Sequence, residues 1–365
     1  MEKTIDYGMK IASAFRLRGE PVSITANERG LINTTSVVEA AEGEKYILQK
    51  INTGIFRHPD EVMENIVAVT EHLKQKIRAR GGDETRETLT VIPTKTGESL
   101  YIDEDGGAYR MYLYIRDAEC YDSADSPELF FKVGKAFGHF QRELSDFDAS
   151  VLHEAIPHFH DTKKRFDAFG EAVNQDAAGR KSLCEEEIRF ILDREDKAAY
   201  VVDRLRDGRL PLRVTHNDTK LNNIMMDKES GEGLAVIDLD TVMPGSMLYD
   251  YGDAIRFGAS SAPEDETDLS RIYLRMDMFE AFTGGFLEGL GGAATEEEIL
   301  ALPMGAYMLT LEQAMRFLTD YLNGDTYFKV RDERHNLERT RAQIALLKDI
   351  ERRADDMNAV VRKYL

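Results

Sequence analysis

The residues best able to do chemistry together lie between His216 and Asp240. His216, Asn217 and Asp218 are followed, five positions after the aspartate, by Asn223. Two apolar-rich segments, Asn222 to Asp227 and Leu234 to Asp240, then flank the stretch Lys-Glu-Ser-Gly-Glu-Gly. Segments of that kind around a glycine-tolerant loop predict an antiparallel hairpin. With Asp227 facing Leu234, the register sets Asn223 opposite Asp238. Facing residues have Cβ atoms about 4.5 to 5.5 Å apart, so an amide oxygen and a carboxylate could hold one hard cation. Mg2+ suits the pair, because it takes oxygen ligands at about 2.0 to 2.1 Å and is commonly held by one or two side chains plus substrate phosphates. Asp218, on the loop entering the hairpin, then lies beside the metal, where a base receives a hydroxyl proton. Each half has a plainer reading: a turn in which Asp218 accepts backbone N–H bonds, and a strand that ends at Asp238. Their union at one spacing favours the metal and base.

The pattern of His-x-Asp, an asparagine five residues later, and a hydrophobic strand ending in aspartate resembles the catalytic loop and metal-binding strand of kinase-like phosphotransferases. Composition permits this chemistry. With 365 residues the chain suits two lobes or domains rather than one small core. A formal charge of -20 opposes binding to a nucleic-acid backbone, yet leaves ATP open, since a cation and local donors can meet its charge. Cys120 and Cys184 supply neither a disulfide framework nor a metal cluster, so a reducing cytoplasm is the expected setting. No membrane partner is expected, because no run approaches about 18 apolar residues and the start lacks a basic region followed by an apolar one. Oligomeric state is not legible at this level.

The elements that must carry the site follow from periodicity. Ile5, Met9, Ala12 and Phe15 predict a helix over Thr4 to Leu17. Ile24 to Ile51 reads as a glycine-turned sheet, in which Asn33, Thr34 and Thr35 beside Gly30 could offer amides and hydroxyls to phosphates. An ordinary hairpin is the alternative. Val62, Ile66, Val69 and Leu73 after Pro59 predict an amphipathic helix over Asp60 to Lys76. Protein kinases pair a strand lysine with a glutamate on that helix. Here alternation leaves Gln49 or Lys50 for the strand position and Glu64 as partner, or as part of a solvated face. Leu89 to Pro93, Leu100 to Asp103 and Ala108 to Ile115 predict further strands, with an interlobe hinge near Tyr114 to Asp117. Helical spacing dominates from Pro127 onward, including Asp161 to Val173, Glu185 to Val202, a capping box at Thr295 to Glu298, and one long helix over Asp332 to Leu365. Asp250 or Asp253 could either orient the catalytic loop or cap a helix.

Several segments together resemble the N-acetylhexosamine 1-kinase group of the aminoglycoside phosphotransferase and choline kinase superfamily. They are Gly30-Leu31-Ile32-Asn33-Thr34-Thr35, Tyr46-Ile47-Leu48-Gln49, Asn52-Thr53-Gly54-Ile55-Phe56, His158-Phe159-His160-Asp161-Thr162, Arg213 to Ile224, Ile237 to Thr241, Pro244 to Leu248, Met315-Arg316-Phe317-Leu318 and Gly324-Asp325-Thr326-Tyr327-Phe328. The resemblance implies an α+β, bilobal protein-kinase-like fold. Its small lobe, residues 1–115, would hold an antiparallel sheet plus a helix, and its large, mainly helical lobe, residues 116–365, the catalytic hairpin. It implies ATP and Mg2+ as cofactors, Asp218 as catalytic base, and Asn223 and Asp238 as metal ligands. Thr34, Thr35, Gln49, Tyr114, Ile115 and Lys220 would meet the nucleotide, and Asn33, Asp218, Arg316 and Tyr327 the acceptor. The implied reaction moves the ATP γ-phosphoryl group to the anomeric 1-hydroxyl of an N-acetylhexosamine. Leu31 stands where that group has a sugar-contacting histidine. Another sugar, an amino alcohol or an aminoglycoside therefore remains as alternative acceptor, and a silent kinase fold as alternative role.

Overall fold

Alternating burial along neighbouring strands builds the first sheet of the computed structural model, which describes residues 2–27 and 32–365. Gly30 and Leu31 lie outside the described residues. The chain divides into two compact units. The first comprises Met1–Cys120, Val151–Pro157 and Ile224–Met243; the second comprises Tyr121–Ser150, His158–Asn223 and Pro244–Leu365. Residues 224–243, which the sequence reading assigns to the large lobe, are thus grouped with the N-terminal sheet.

In the first unit, helix α1 (Glu2–Ala12) precedes β1 (Pro21–Asn27), β2 (Thr34–Ala40) and β3 (Lys45–Lys50), after which come α2 (Pro59–Ala79), β4 (Tyr101–Ile102) and β5 (Ala108–Leu113). The strands form one antiparallel sheet in the order β1-β2-β3-β5-β4. Period-two alternation turns Val38 and Ala40, Tyr46 and Leu48, and Tyr109 and Met111 into one core with Ile11 and Phe15. Helix α2 buries Val62, Ile66, Val69, Leu73 and Ile77, the stripe expected of an amphipathic helix, with Pro59 in its first turn. The expected strand over Leu89 to Pro93 is reduced to one bridge, Val91 opposite Tyr112, flanked by Ile92 N–H to Met111 O at 2.8 Å and Leu113 N–H to Thr90 O at 2.9 Å. Pro93 lacks the N–H that would extend the pairing.

A second sheet in this unit joins β6 (Ala118–Glu119), β8 (Ile224–Asp227) and β9 (Gly233–Val236); β7 (Arg213–Thr215) lies in the second unit. Arg86 secures the segment after β5. It donates to the carbonyls of Arg116 and Asp117 at 3.3 Å and meets the Asp227 carboxylate at 2.7 Å.

The second unit is helical: α3 (Pro127–Glu143), α4 (Thr162–Gln175), α5 (Glu185–Leu192), α6 (Glu195–Ala198), α7 (Tyr200–Arg206), α8 (Met247–Gly258), α9 (Met276–Leu290), α10 (Glu296–Leu322), α11 (His335–Arg352) and α12 (Ala354–Arg362). Helices α3 and α9 cross backbone to backbone. A Cβ at Gly138 would stand 2.1 Å from Phe286 O, and one at Gly285 would stand 2.0 Å from Phe131 O. Thr295 and Glu298 form the expected capping box of α10. Two expectations need correction. Glu185 to Val202 is three short helices, and the C-terminal helix is broken at Arg353, whose N–H falls back on the carbonyls of Asp349 and Ile350. No helix among the described residues is long and apolar enough to cross a membrane.

Candidate active site

Strand β7 delivers the loop of residues 216–223 to the buried middle of the second unit. Arg213 is fixed there by Glu298, with Nη2 to Oε2 at 2.7 Å, and by the Ala293 carbonyl at 2.8 Å. His216 is fully buried and meets the rings of Phe137 and Phe140 edge-on. Asn217 has φ 64, a left-handed conformation that non-glycine residues keep only where their surroundings hold it. The holder is Asp250. Its carboxylate accepts the N–H groups of His216 at 3.0 Å and Asn217 at 2.7 Å, and Gln141 Nε2 at 2.7 Å. Complete burial raises the Asp250 pKa against the opposing pull of His216 and of these hydrogen bonds. The choice left open by sequence is therefore resolved. Ser246 caps α8 by accepting from Leu248 N–H, Asp250 orients the loop, and Asp253 pairs with Arg256 at 2.8 Å.

Asp218, Lys220 and Asn223 come together. Lys220 Nζ lies 2.7 Å from Asp218 Oδ1, and Asn223 Nδ2 donates to the Asp218 carbonyl at 2.8 Å and to its Oδ2 at 3.3 Å. Burial opposes the Lys220 charge, but Asp218 and Asp253 outweigh it and hold the ammonium pKa above its ordinary value. The amide nitrogen of Asn223 is occupied, so its Oδ1 is the atom that can be offered to a cation.

The hairpin in the first unit has another register than the sequence suggests. Ile224 faces Val236 and Met225 faces Ala235; after a bulge, Met226 faces Gly233. Asp227 closes the turn with Glu232 rather than Leu234, because its Oδ1 accepts the N–H groups of Glu229 and Ser230 at 3.2 and 2.8 Å. This shift removes the pairing argument for Asn223 opposite Asp238. Asp238 has left the ladder and adopts φ 59 ψ 54, with a short 3-10 turn after it. A carboxylate on such a turn is a donor of the kind that Mg2+ accepts together with phosphates. Among the described residues no three His, Cys, Asp or Glu gather as a self-sufficient metal cluster.

The other nucleotide candidates lie in the first unit. Thr34 opens β2 and is exposed; Thr35 faces Gln49 across the ladder and accepts from its Nε2 at 3.1 Å. Tyr114 donates its N–H to Lys45 O at 3.0 Å, and Ile115 is buried. The kinase-like lysine and glutamate pair is not formed. Lys50 lies over the Tyr109 ring, and Glu64 meets His153 Nε2 at 2.7 Å. Asn33 is also in this unit, with Nδ2 on Asp240 Oδ2 at 2.5 Å and Oδ1 accepting Asn52 N–H at 2.9 Å. Arg110, which sequence reasoning missed because it sits inside an aromatic strand, forms an ion pair with Asp240.

The acceptor candidates Arg316 and Tyr327 come together in the second unit. The Arg316 guanidinium lies 5.5, 6.0 and 5.6 Å from the ring centres of Phe159, Tyr327 and Phe328. Beside it, buried Glu312 meets His160 Nδ1 at 3.0 Å. Burial and then Arg316 lower the Arg165 pKa. Burial pushes the Asp253 pKa up, but Arg256, Lys220 and His160 outweigh it. Asp320, another residue without a sequence signal, accepts the N–H groups of Thr326, Tyr327 and Phe328 at 2.9, 2.8 and 3.0 Å and so pins the loop that presents Tyr327.

Comparison with known proteins agrees with this architecture. The family described as phosphotransferase enzyme family matches residues 23–284. A spectinomycin phosphotransferase solved with ADP and spectinomycin is 12% identical, with a TM-score of 0.60 over 96% of this chain and 98% of that one. A microcompartment-associated aminopropanol kinase is 14% identical, with a TM-score of 0.60 over 97% and 98%. A Plasmodium vivax ethanolamine kinase is 14% identical, with a TM-score of 0.53 over 93% and 86%. The fold is thus α+β and protein-kinase-like, and the chain belongs to the phosphotransferase enzyme family.

Proposed function

We propose that this phosphotransferase is an ATP- and Mg2+-dependent small-molecule kinase that phosphorylates the anomeric 1-hydroxyl of N-acetylhexosamine-type sugars. The observation that carries the reading is the Asp250-held loop, in which Asp218 stands beside a charged Lys220 and the amide of Asn223. Asp218 orients the sugar hydroxyl and takes its proton as that oxygen bonds to the γ-phosphorus, while the bond from the γ-phosphorus to the ADP oxygen breaks. Asn223 and Asp238 are the proposed ligands of Mg2+, which when bound neutralises phosphate charge. Lys220 keeps a positive charge beside the base. Thr34, Thr35, Gln49 and the Tyr114 to Ile115 segment are the proposed nucleotide contacts, and Asn33, Arg316 and Tyr327 the proposed acceptor contacts.

The rings around Arg316 suit a sugar as acceptor. A sugar with hydroxyl and N-acetyl groups meets Arg316 by hydrogen bonds and the rings of Phe159, Tyr327 and Phe328 by its apolar face. The spectinomycin, aminopropanol and ethanolamine enzymes favour a second reading, in which the acceptor is an aminoglycoside or an amino alcohol. At 12–14% identity that likeness concerns the fold. The deciding experiment is ATP consumption with a panel of free sugars and amines, followed by phosphorus NMR to locate the phosphate. The reading expects N-acetylglucosamine or N-acetylgalactosamine 1-phosphate; turnover confined to amines overturns it.

A further inference from the structure

Protein kinases place a lysine on a small-lobe strand and pair it with a glutamate on the next helix. In this chain Gln49 occupies the inner strand position and Glu64 is engaged with His153. A positive charge is nevertheless present one strand away. Arg110 on β5 stands opposite Gln49 in the ladder and donates from Nε to Gln49 Oε1 at 2.9 Å. Its Nη2 meets Asp240 Oδ1, and the other oxygen of Asp240 accepts from Asn33. Gln49 in turn donates to Thr35 Oγ1. Arg110 is 1% exposed and Asp240 5% exposed, so each charge depends on the other. Arg110 Nη1 is buried with no hydrogen-bond partner among the described residues.

Asp240 lies two residues beyond Asp238, whose φ of 59 places a non-glycine residue in the left-handed region. That conformation is unfavourable by itself and persists where neighbours over-determine it. The Arg110 ion pair and the Asn33 hydrogen bond on Asp240 supply such a hold, because they fix the middle of the short turn that begins at Asp238. We propose that Arg110 is a positioning residue for the metal-bearing turn: by pairing with Asp240 it sets the Asp238 carboxylate for a divalent cation bound to nucleotide. The positive charge usual on the kinase strand at position 49 is, in this chain, carried at 110. This inference rests on the reading of Asp238 as a Mg2+ ligand.

The test measures ADP binding to the full chain by calorimetry, with Mg2+ and with a chelator. Arg110→Met alone leaves Asp240 buried without its counter-charge and is prone to misfold. Arg110→Met is therefore combined with Asp240→Leu, since an apolar replacement of both partners of a buried pair is tolerated far better. Residues that orient a metal ligand typically change metal affinity by about 10- to 100-fold when lost. The expected result is a single cooperative melting transition, ADP affinity without Mg2+ equal to wild type, and loss of most of the Mg2+-dependent gain. In Arg110→Met with Asp240 retained, adding Gln49→Lys should restore folding and the Mg2+-dependent gain, because the new ammonium stands on the strand position bonded to Arg110 in the wild type. A double variant that folds and keeps the full Mg2+-dependent gain overturns the proposal. A wild type that binds ADP no better with Mg2+ overturns the metal reading beneath it and the proposal with it, so the two failures are told apart by the wild-type control.

Discussion

Asp250 holds Asn217 by its backbone: Oδ1 accepts the Asn217 N–H at 2.7 Å, while Oδ2 takes the neighbouring His216 N–H at 3.0 Å. Both donors are buried. An unpaired buried donor costs about 1 to 3 kcal/mol, so Asp250→Ala should lower stability by about 2 to 6 kcal/mol and cripple turnover. Urea unfolding followed by circular dichroism gives the first quantity. A midpoint equal to wild type removes the loop-holding role.

Asp218→Asn keeps the shape of the side chain and removes the proton acceptor. Turnover should fall by about 10^2 to 10^4, the usual share of general acid–base catalysis, and nucleotide affinity should change little. Steady-state kinetics together with ADP calorimetry separates the two. Loss of ADP binding in parallel with turnover assigns Asp218 to the metal or to the fold instead.

Asp238→Ala should abolish Mg2+-dependent turnover, because the cation loses its charged oxygen. Asn223→Ala should weaken it less, since a neutral amide supplies less charge. A Mg2+ titration of activity at saturating ATP ranks the variants. Full activity of Asp238→Ala across that titration rejects the ligand assignment.

The candidate loop was legible because it is a matter of residue types: the spacing from His216 through Asp218 to Asn223 survives any error in element boundaries. The helix stripe of α2 and the capping box at Thr295 were legible for a similar reason, as local periodicity and local hydrogen bonding determine them. The hairpin register was not. A turn shaped by Asp227 on its own backbone and a bulge after Met225 shift the strands by one residue, and alternation alone does not reveal either. Arg110, Gln141 and Glu312 were invisible for another reason. Each acts on a residue far away in sequence, with Gln141 reaching Asp250 and Arg110 reaching Asp240. The C-terminal break at Arg353 lies within an apolar pattern that runs on from α11 into α12.

The turn at Asp227 gives a pH prediction. Hydrogen bonds from the Ser230 backbone first, and then the Arg86 side chain, hold the Asp227 carboxyl well below the usual carboxylate range. A carboxyl depressed on folding stabilises the native state fully above its unfolded pKa of about 3.9. That contribution is lost as pH falls through the folded value. Asp227→Asn should therefore melt below wild type at pH 7, with the gap narrowing below about pH 4. Melting curves at pH 7 and at successive acid values measure it; a gap that stays constant excludes the linkage.

Arg316 tests the acceptor class. Its guanidinium lies among Phe159, Tyr327 and Phe328, so truncation removes a charged donor from a largely buried, ring-lined position. Hydrogen bonds from charged groups are worth about 1.5 to 3 kcal/mol. Arg316→Ala should accordingly lower kcat/KM for N-acetylhexosamines by about tenfold to about 150-fold. The KM for ATP should be nearly unchanged, because the loss falls on the acceptor. Arg316→Lys should recover little, since a compact ammonium does not reproduce a planar fork stacked against rings. These values come from initial rates with sugar and ATP varied in turn. If Arg316→Ala leaves kcat/KM intact for every sugar, or if the wild type phosphorylates an amino alcohol or aminoglycoside and no hexose, the hexosamine assignment falls while membership of the phosphotransferase family stands.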